Sequence, residues 1–373
     1  MKQKLTNMEK KKKVLILSGI SWNSTLQRHH VIASWFAEKN CYDVYFLEGI
    51  ISSSFTIKKL INRFTKKSVQ IKNPHNSITI LKVPLINPNR GIFLFINKCI
   101  INRYFKNITA EYDIVVAYVP VNTTLLILDK LHYKMLIYDC VRAFENWGGY
   151  PKDIIKNENK LVNLSDLILV DSFYLKNKFK KKNPEKDIYQ IVPHLTENEY
   201  KIYSKNDPPV KIKRILYFGR VFNHLDFDIF KTLTNNGYEI YIVGSIDCKL
   251  PFKYKYLGYY SDKEELASII INNADAIIIP YASEMDGVIP AKLMQSLATQ
   301  LPVFINKFYD TNYLKQYLYV YESKKELFNM LQSYNLKDHT YKLEQINIFL
   351  KNNIMSKQKN DFYNEINKLE EIL

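Results

Sequence analysis

Short apolar segments alternate with amphipathic helical segments along almost the whole chain, and this alternation constrains the fold more than any other feature. It predicts strands joined by crossover helices, which is typical of an α/β protein with parallel sheets. Seven strands are predicted in the first half, at residues 14–20, 43–47, 77–83, 113–119, 135–140, 166–172 and 188–192. Six are predicted in the second half, at residues 214–220, 239–245, 254–259, 275–281, 301–305 and 317–321. The two sets predict two doubly wound, Rossmann-like domains.

The length of 373 residues suits two domains, each large enough to bury a core of its own. The segment 196–213 contains the sequence Asn-Asp-Pro-Pro and is predicted to link them. We therefore expect an N-terminal domain over residues 1–200 and a C-terminal domain over residues 201–345. Helical periodicity predicts that residues 346–373 form a terminal helix.

Positive charge is concentrated in the first half of the chain. Residues 1–200 contain 31 Lys and Arg against 17 Asp and Glu, whereas residues 201–373 contain 22 against 20. Such a surface suits nucleic acid, anionic lipid or an acidic acceptor, although a solvated Lys-rich surface is the plain alternative. The segment 89–107 has apolar side chains at helical spacing with basic ones between them: Phe93, Ile96, Ile100 and Tyr104, with Arg90, Lys98, Arg103 and Lys106. A helix of this kind either lies on an anionic membrane or packs on an ordinary core.

Cysteine usage and hydropathy indicate the compartment. The four cysteines are scattered without metal-ligand spacing, which favours a reducing cytoplasm and predicts neither zinc nor disulfides. No apolar run approaches the roughly 18 residues of a membrane span, and the run at 14–17 is too short for a signal peptide. We expect a cytoplasmic protein that is either soluble or peripheral on the cytoplasmic face of the membrane.

The segment 274–303 carries the densest group of candidate site residues. It combines a predicted buried strand, a loop with Glu284 and Asp286, and a helix opened by Pro290. Lys292 and Gln295 are three residues apart, so both project from one face near the positive end of that helix. A cation there, beside carboxylates at the carboxyl end of a parallel strand, suits a phosphorylated sugar.

Two strand-to-glycine turns precede this segment in the second half. They are Y-F-G-R at 217–220 and I-V-G-S at 242–245. Gly219 and Gly244 allow a ligand to approach the backbone closely, and Arg220 can neutralise a diphosphate. Both turns follow strands of one predicted sheet, so we expect them at the same edge.

In this order, the motifs resemble those of the GT-B glycosyltransferases. Within that family they are most similar to the group-1, GT4-like bacterial enzymes of capsule and lipopolysaccharide biosynthesis. The resemblance covers most of the chain and is carried by the segments 136–140, 166–175, 217–220, 242–245, 256–259, 275–281 and 289–304. It implies two domains facing across a cleft, with the acceptor on the first domain and the nucleotide-sugar on the second. It also implies that the terminal helix returns to the first domain.

The resemblance also implies roles for individual residues. Lys292 and Arg220 would bind the donor diphosphate, and Gln295 would bind the ribose, although the family's usual residue there is Glu. Glu284 and Asp286 would contact the transferred sugar. The usual Gly in the turn after the helix is Gln300 here. No metal is implied, because basic side chains and the helix dipole take its place.

Glycosyl transfer also needs a base for the acceptor hydroxyl or stabilisation of an oxocarbenium-like state. Asp139, at a predicted strand end, is the candidate catalytic or acceptor-binding acid, and Glu145 is its rival. A turn-capping role for Asp139 is the structural alternative. Gly19 lies in the Ser-Gly turn that ends the first predicted strand, His29 follows that turn, and both are candidates for the acceptor side of the cleft.

The predicted activity is a hexosyltransferase-type reaction. A sugar moves from a nucleoside-diphosphate donor, with UDP expected, to a hydroxyl of a growing, lipid-linked cell-surface glycan. No cofactor is expected, and the partners are the donor, a glycan or glycolipid acceptor and the anionic inner membrane surface. A nucleotide-sugar 2-epimerase of the same fold and a catalytically inactive GT-B subunit, suggested by Gln295 and Gln300, are alternatives. A nucleic-acid-binding protein is disfavoured, since neither a recognition-helix pattern nor an RNP-like aromatic strand is present.

Overall fold

The computed structural model describes residues 11–50, 77–86, 91–105, 111–146, 150, 152–204, 207–282 and 284–372. These residues form two compact units. The first unit comprises the chain up to Val170 together with Phe179–Tyr189 and the chain from Glu365. The second unit comprises Asp171–Lys178 and Gln190–Asn364.

The first unit contains a seven-stranded sheet in the order β3-β2-β1-β4-β5-β6-β7. Its strands are β1 (Lys12–Leu17), β2 (Tyr42–Glu48), β3 (Ile78–Lys82), β4 (Glu111–Ala117), β5 (His132–Cys140), β6 (Leu167–Val170) and β7 (Asp187–Gln190). The helices of this part of the chain are α1 (Arg28–Glu38), α2 (Ile92–Phe105), α3 (Asn122–Leu128), α4 (Ile154–Leu164) and α5 (Phe173–Lys182). The chain leaves β1 for β2 on one side and later returns to β4 on the other, which creates a topological switch point between β1 and β4.

The second unit contains a six-stranded sheet in the order β10-β9-β8-β11-β12-β13. Its strands are β8 (Arg214–Phe218), β9 (Glu239–Val243), β10 (Lys255–Tyr256), β11 (Ala276–Ile279), β12 (Val303–Asn306) and β13 (Tyr319–Tyr321). The helices are α6 (Glu197–Tyr203), α7 (Phe227–Asn235), α8 (Lys263–Asn273), α9 (Lys292–Ala298), α10 (Thr311–Leu314), α11 (Lys324–Gln332) and α12 (Leu336–Asn352). They are followed by α13 (Met355–Ile372), which belongs to this unit up to Asn364 and to the first unit from Glu365. Here the switch point lies between β8 and β11.

Apolar side chains cover both faces of the second sheet, as its apolar strands require. One core cluster contains Leu293 and Leu297 of α9, and another contains Ile229 and Phe230 of α7. A parallel sheet buried on both faces needs near-continuous apolar strands, and β11 is Ala-Ile-Ile-Ile with every residue buried. The predicted fold class, two doubly wound parallel-sheet domains, is confirmed.

Every predicted strand is present, with its bounds displaced by a few residues. The segment at 196–213, predicted as a link, has regular structure of its own. It contains the helix α6, which begins with a capping box. Thr196 Oγ1 accepts a hydrogen bond from the Glu199 amide at 3.1 Å, and Glu199 Oε2 accepts one from the Thr196 amide at 2.9 Å. The Thr-x-x-Glu spacing is a recognised helix-start signal, so the sequence did contain this information.

Candidate functional site

Lys292 places its ammonium group at the switch point of the second sheet. It is the first residue of α9, and Pro290 lies two residues before the helix rather than within it. Nζ donates hydrogen bonds to Tyr217 Oη at 2.8 Å and to the Phe218 carbonyl at 2.7 Å, the last two residues of β8. It also lies 4.1 Å from the centroid of the Tyr217 ring. Neither partner is anionic, and Lys292 forms no ion pair with a described residue, so one N–H and the positive charge are available to a ligand.

The environment of Lys292 is costly for a cation. Burial lowers the pKa of Lys292 to about 7, because desolvation penalises the charged form. An anion at Nζ would restore the charged form and raise this pKa. The charged form of Lys292 is therefore more stable when an anion is bound beside it than in the ligand-free protein.

Three glycines lie side by side where β8, β9 and β10 end. Gly219, Gly244 and Gly258 have φ angles of 115°, 124° and 103°, a region that L-amino acids rarely adopt. A Cβ on Gly244 would lie 2.3 Å from the Gly219 carbonyl oxygen, and a Cβ on Gly219 would lie 2.6 Å from Lys292 Nζ. The Gly244 amide donates to the Gly258 carbonyl at 2.8 Å. The two predicted glycines thus meet beside Lys292, and Gly258, which was not among the predicted site residues, completes the row.

Arg220 follows Gly219 at this edge, but its guanidinium is engaged. Nε donates to a carboxylate oxygen of Asp247, and the guanidinium carbon lies 5.3 Å from the centroid of the Phe222 ring. The Arg220 side chain is 68% exposed, and exposed ion pairs contribute little stability. A diphosphate can therefore replace Asp247 at small cost.

His224 lies near the same two cations. Burial lowers its pKa, and the charges of Lys292 and Arg220 lower it further, although its bond to the Phe222 carbonyl acts in the opposite sense. Its ring stacks on that of Phe222 with centroids 3.5 Å apart. This histidine is therefore held near the anion-binding edge, where burial and the two cations favour its neutral form.

The two acids of the loop after β11 differ in their surroundings. Glu284 is exposed, and its Oε1 accepts a hydrogen bond from the Asp286 amide at 3.2 Å. Asp286 is half-buried, and its Oδ1 accepts from the Tyr309 amide at 2.7 Å, which ties the loop to the segment after β12. Gln295 is half-buried one turn after Lys292, and its side chain makes no hydrogen bond with the described residues.

In the first unit, Asp139 is fully buried near the end of β5. Both of its carboxylate oxygens contact Arg28 Nε, at 2.8 and 2.9 Å. Burial and the adjacent Asp139 raise the pKa of Tyr118 well above its usual range. The Arg28 partner, 111 positions away in sequence, has no counterpart in the sequence prediction. An acid enclosed in this way is not accessible to an acceptor in this conformation.

His29 and Gly19 lie at the carboxyl edge of β1 in the same unit. The His29 ring stacks on Tyr118 at 3.6 Å, and its Nδ1 lies 3.0 Å from Ser18 Oγ. Burial, helped by neighbouring positive groups, lowers the pKa of His29 to about 3, so the ring is neutral near pH 7. A Cβ on Gly19 would lie 2.5 Å from Val119 Cγ2, so close packing requires a glycine there. Glu145 is exposed on a short 3₁₀ turn, Phe144–Asn146, and residues 147–149 lie outside the described part of the chain.

The Asp139→Asn variant should lower the free energy of unfolding by about 3 kcal/mol, because it breaks a buried ion pair by removing the carboxylate that contacts Arg28 Nε. Urea denaturation of the folded variant measures this loss. Asp129→Asn, at a side chain 71% exposed, is the matched control and should change stability by less than about 0.5 kcal/mol. Equal stability of the two variants would contradict a structural role for the ion pair.

Gln300 is the one non-glycine among the described residues with a positive φ, 62°. It follows the last turn of α9, where glycine is usual because it has no Cβ strain. Relief of this strain in Gln300→Gly should therefore raise the free energy of unfolding by about 1 kcal/mol. The gain is reduced by the loss of the 3.3 Å hydrogen bond that Gln300 Nε2 donates to the Ser204 carbonyl. The same change at Gln332, in right-handed helix, should instead cost about 1 kcal/mol. Chemical denaturation tests both signs, and destabilisation by Gln300→Gly would contradict the strain argument.

Comparison with protein-family models gives no match, and comparison with curated protein sequences gives none either. Solved structures do match over nearly the full chain. Sucrose-phosphate synthase from Thermosynechococcus elongatus superposes with a TM-score of 0.67 at 9% identity, covering 97% of this chain and 100% of that one. The lipopolysaccharide outer core galactosyltransferase WaaB, in its apo form, gives 0.64 at 12% identity, covering 96% and 99%. Anabaena HepE in complex with UDP gives 0.61 at 13% identity, covering 96% and 100%. The chain therefore has the GT-B fold that its motifs predicted.

Proposed function

We propose that this chain is a GT-B glycosyltransferase that moves a sugar from a nucleoside-diphosphate donor to a hydroxyl of a growing, lipid-linked cell-surface glycan. The observation that carries the proposal is the half-buried ammonium of Lys292. It has no anionic partner among the described residues and lies at the switch point between β8 and β11, beside Gly219. Ligands of doubly wound sheets bind outside the carboxyl ends of the strands at such a point.

The donor diphosphate would bind between Lys292 and Arg220. Lys292 would donate its remaining N–H, and Arg220 would exchange Asp247 for a phosphate oxygen. The glycines at 219 and 244 lack the side chains that would keep a phosphate from the backbone. Gln295 would bind the ribose hydroxyls as a neutral donor and acceptor. A UDP-sugar is the expected donor, since the structural neighbour HepE has been solved with UDP and with UDP-glucose.

The transferred sugar would contact the loop after β11. Exposed Glu284 is available to sugar hydroxyls, while Asp286 holds the loop in place through Tyr309. For the acceptor hydroxyl, we infer that exposed Glu145 is the base and that Asp139 positions Arg28. The reaction would proceed without a metal, because Lys292 and Arg220 supply the positive charge for the leaving diphosphate.

A thermal-shift panel of UDP-, GDP-, dTDP- and CMP-linked sugars tests donor binding. One nucleotide, expected to be UDP, should stabilise the protein, since a ligand at 100 times its Kd contributes about 2.7 kcal/mol. Transfer is then tested by following release of the free nucleotide with and without a lipid-linked oligosaccharide acceptor. A panel without any stabilising nucleotide would refute the proposal, as would nucleotide release that is independent of acceptor.

Membrane association of the basic first half is part of the proposal, and helix α2 is the segment that would carry it. Its buried residues are Asn97, Ile101 and Phe105, whereas Ile92 and Phe95 are 71% and 67% exposed. The predicted apolar stripe of Phe93, Ile96, Ile100 and Tyr104 is thus not the buried face, and Arg90 and Lys106 lie outside the described residues. Exposed Lys98 and Arg103 on the same helix would meet anionic headgroups. None of the described helices is long and apolar enough to cross a bilayer.

The double variant Ile92→Ser/Phe95→Ser should reduce sedimentation with phosphatidylserine-containing vesicles by about tenfold, because two exposed apolar side chains no longer enter the interface. The control is Ile348→Ser, at a side chain 56% exposed on α12 of the second unit, and it should sediment like the wild type. Equal loss in both proteins, or no sedimentation of the wild type, would refute a membrane role for α2.

A further inference from the structure

A cavity of about 770 Å³ opens at the carboxyl ends of β11, β12 and β13 in the second unit. It is lined by the residues that follow these strands and by the first turns of α7 and α11. None of the donor-binding residues proposed above lines it. We propose that this cavity is a binding site for a neutral saccharide unit, separate from the nucleotide site.

The first observation is the Tyr321 hydroxyl. Tyr321 lines the cavity and is 3% exposed, yet its Oη has no hydrogen-bond partner among the described residues. A buried hydroxyl without a partner is costly and calls for a ligand or a water molecule. Burial, and secondarily Asp226, raises the pKa of Tyr321 well above its usual range, so the group stays a neutral donor and acceptor.

Two further side chains in the lining have polar atoms to spare. Asp226 caps α7 through Oδ1, which accepts from the Asp228 and Ile229 amides, and its Oδ2 accepts no hydrogen bond from a described residue, which leaves it available as an acceptor. Asn306 accepts from the Tyr281 amide through Oδ1 at 2.9 Å, and its two amide N–H groups have no acceptor in the part of the chain that the structure describes, so they remain available as donors. A carboxylate, an amide and a hydroxyl together match the paired donor and acceptor character of neighbouring sugar hydroxyls.

The charges at the cavity favour a neutral ligand over an anion. Its two lysines are already paired, Lys307 with Glu322 at 2.6 Å and Lys324 with Asp228 at 3.4 Å. With Asp226 and Glu322 also in the lining, the two cations there are matched by two carboxylates. This balance contrasts with Lys292, whose charge is unpaired among the described residues, and it separates the two sites chemically.

Short backbone bonds lie between the cavity and the nucleotide site. The Ala282 amide donates to the His224 carbonyl at 2.8 Å, and the Asp226 amide donates to the Pro280 carbonyl at 2.8 Å. Tyr281 lines the cavity while its ring centroid lies 5.8 Å from Lys292 Nζ. The strand-exit segment 280–282 therefore belongs to the walls of both sites.

The test is a calorimetric and saturation-transfer NMR titration of the full chain with glucose, galactose and N-acetylglucosamine, each alone, and with inorganic phosphate. One sugar should bind with a Kd on the order of 1 mM, the affinity expected for about a dozen non-hydrogen atoms. Tyr321→Phe should weaken this binding about fivefold or more, and Asp226→Asn, which keeps the helix cap, should also weaken it. Tyr203→Phe is the matched control, because Tyr203 also has a buried hydroxyl that lacks a partner in the described parts of the chain, and it lies away from the cavity, so the variant should bind like the wild type.

Further measurements distinguish the proposed saccharide site from the proposed donor site. Saccharide binding should persist in Lys292→Met and in the presence of saturating nucleotide, and Tyr321→Phe should leave nucleotide binding unchanged. Displacement of the sugar by nucleotide would assign it to the donor site and overturn the inference. So would phosphate binding that depends on Tyr321, equal affinity in Tyr321→Phe, or the absence of any saturable sugar binding.

Discussion

Replacing Lys292 by methionine should weaken binding of the nucleotide-sugar by about 100-fold, which removes its thermal stabilisation of the protein at ordinary ligand concentrations. The variant loses the one cation at the switch point that has no anionic partner among the described residues. Methionine matches the unbranched aliphatic stem of lysine and lacks only the ammonium group, so the packing of the stem is largely retained. Because burial of the charge is itself unfavourable, ligand-free Lys292→Met should be no less stable than the wild type. The loss of binding can then be separated from loss of folding.

The same variant has a pH signature that a packing defect would not produce. With a pKa near 7 in the folded chain, Lys292 is increasingly neutral above pH 7, so wild-type affinity for a diphosphate diester should fall as pH rises from about 7 to 9. Lys292→Met should bind weakly with no such slope. The free energy of unfolding of the ligand-free chain should change in the opposite direction. Because the unfolded lysine keeps its proton up to about pH 10.4, the unfolded state binds more protons between pH 7 and that value. Wild-type stability should therefore rise with pH in this window relative to the variant.

Lys255→Met provides the control for surface charge, since Lys255 is an exposed lysine on β10, the edge strand of the same sheet, with Nζ 5.4 Å from the centroid of the Tyr241 ring. It should bind the nucleotide-sugar within about twofold of the wild type. If Lys292→Met retains the wild-type thermal shift, the ligand does not bind at the switch point. Isothermal calorimetry of the three proteins at several pH values decides the matter.

The architecture could be predicted from sequence because parallel strands buried on both faces are encoded locally. The apolar run at the end of Ala-Asp-Ala-Ile-Ile-Ile, residues 274–279, is typical of a strand whose two faces are both covered. Its last four residues form the fully buried strand β11. Because Gly219, Gly244 and Lys292 each follow a strand of the same predicted parallel sheet, the sequence predicts them at one edge of that sheet. Their meeting depends on topology, which the alternation of strands and helices already implied.

The partners of the charged residues could not be predicted in the same way. Asp139 pairs with Arg28 and Arg220 pairs with Asp247, and nothing in the local sequence marks either partner. Whether an acid is accessible or enclosed depends on packing between distant segments. For this reason Asp139, which its position at a strand end made a catalytic candidate, is fully buried in the folded unit. The sequence also did not determine which face of α2 is buried, because its apolar residues extend around more than one side of the helix.

The Gly244→Ala substitution should lower the free energy of unfolding by about 3 kcal/mol or more, because the added Cβ meets backbone rather than a flexible side chain. It would lie 2.3 Å from the Gly219 carbonyl oxygen and 2.7 Å from its carbonyl carbon, at a φ of 124°. Relief requires moving the β8 exit away from β9, and this movement would displace the Gly219 backbone beside Lys292. We therefore expect the variant to lose both stability and nucleotide-sugar binding.

Two other glycines separate backbone strain from collision in this prediction. Gly237 has a φ of 84° with nothing within 4 Å of a Cβ, so Gly237→Ala should cost only the strain, about 1 kcal/mol, and leave binding intact. Gly219→Ala would meet Lys292 Nζ at 2.6 Å, and this flexible group can retreat, so binding should suffer more than stability. Urea denaturation and the thermal-shift assay on all three variants give the ranking. Equal destabilisation by Gly244→Ala and Gly237→Ala would show that the backbones after β8 and β9 are not in close contact. The proposed donor site, which depends on that contact, would then be wrong.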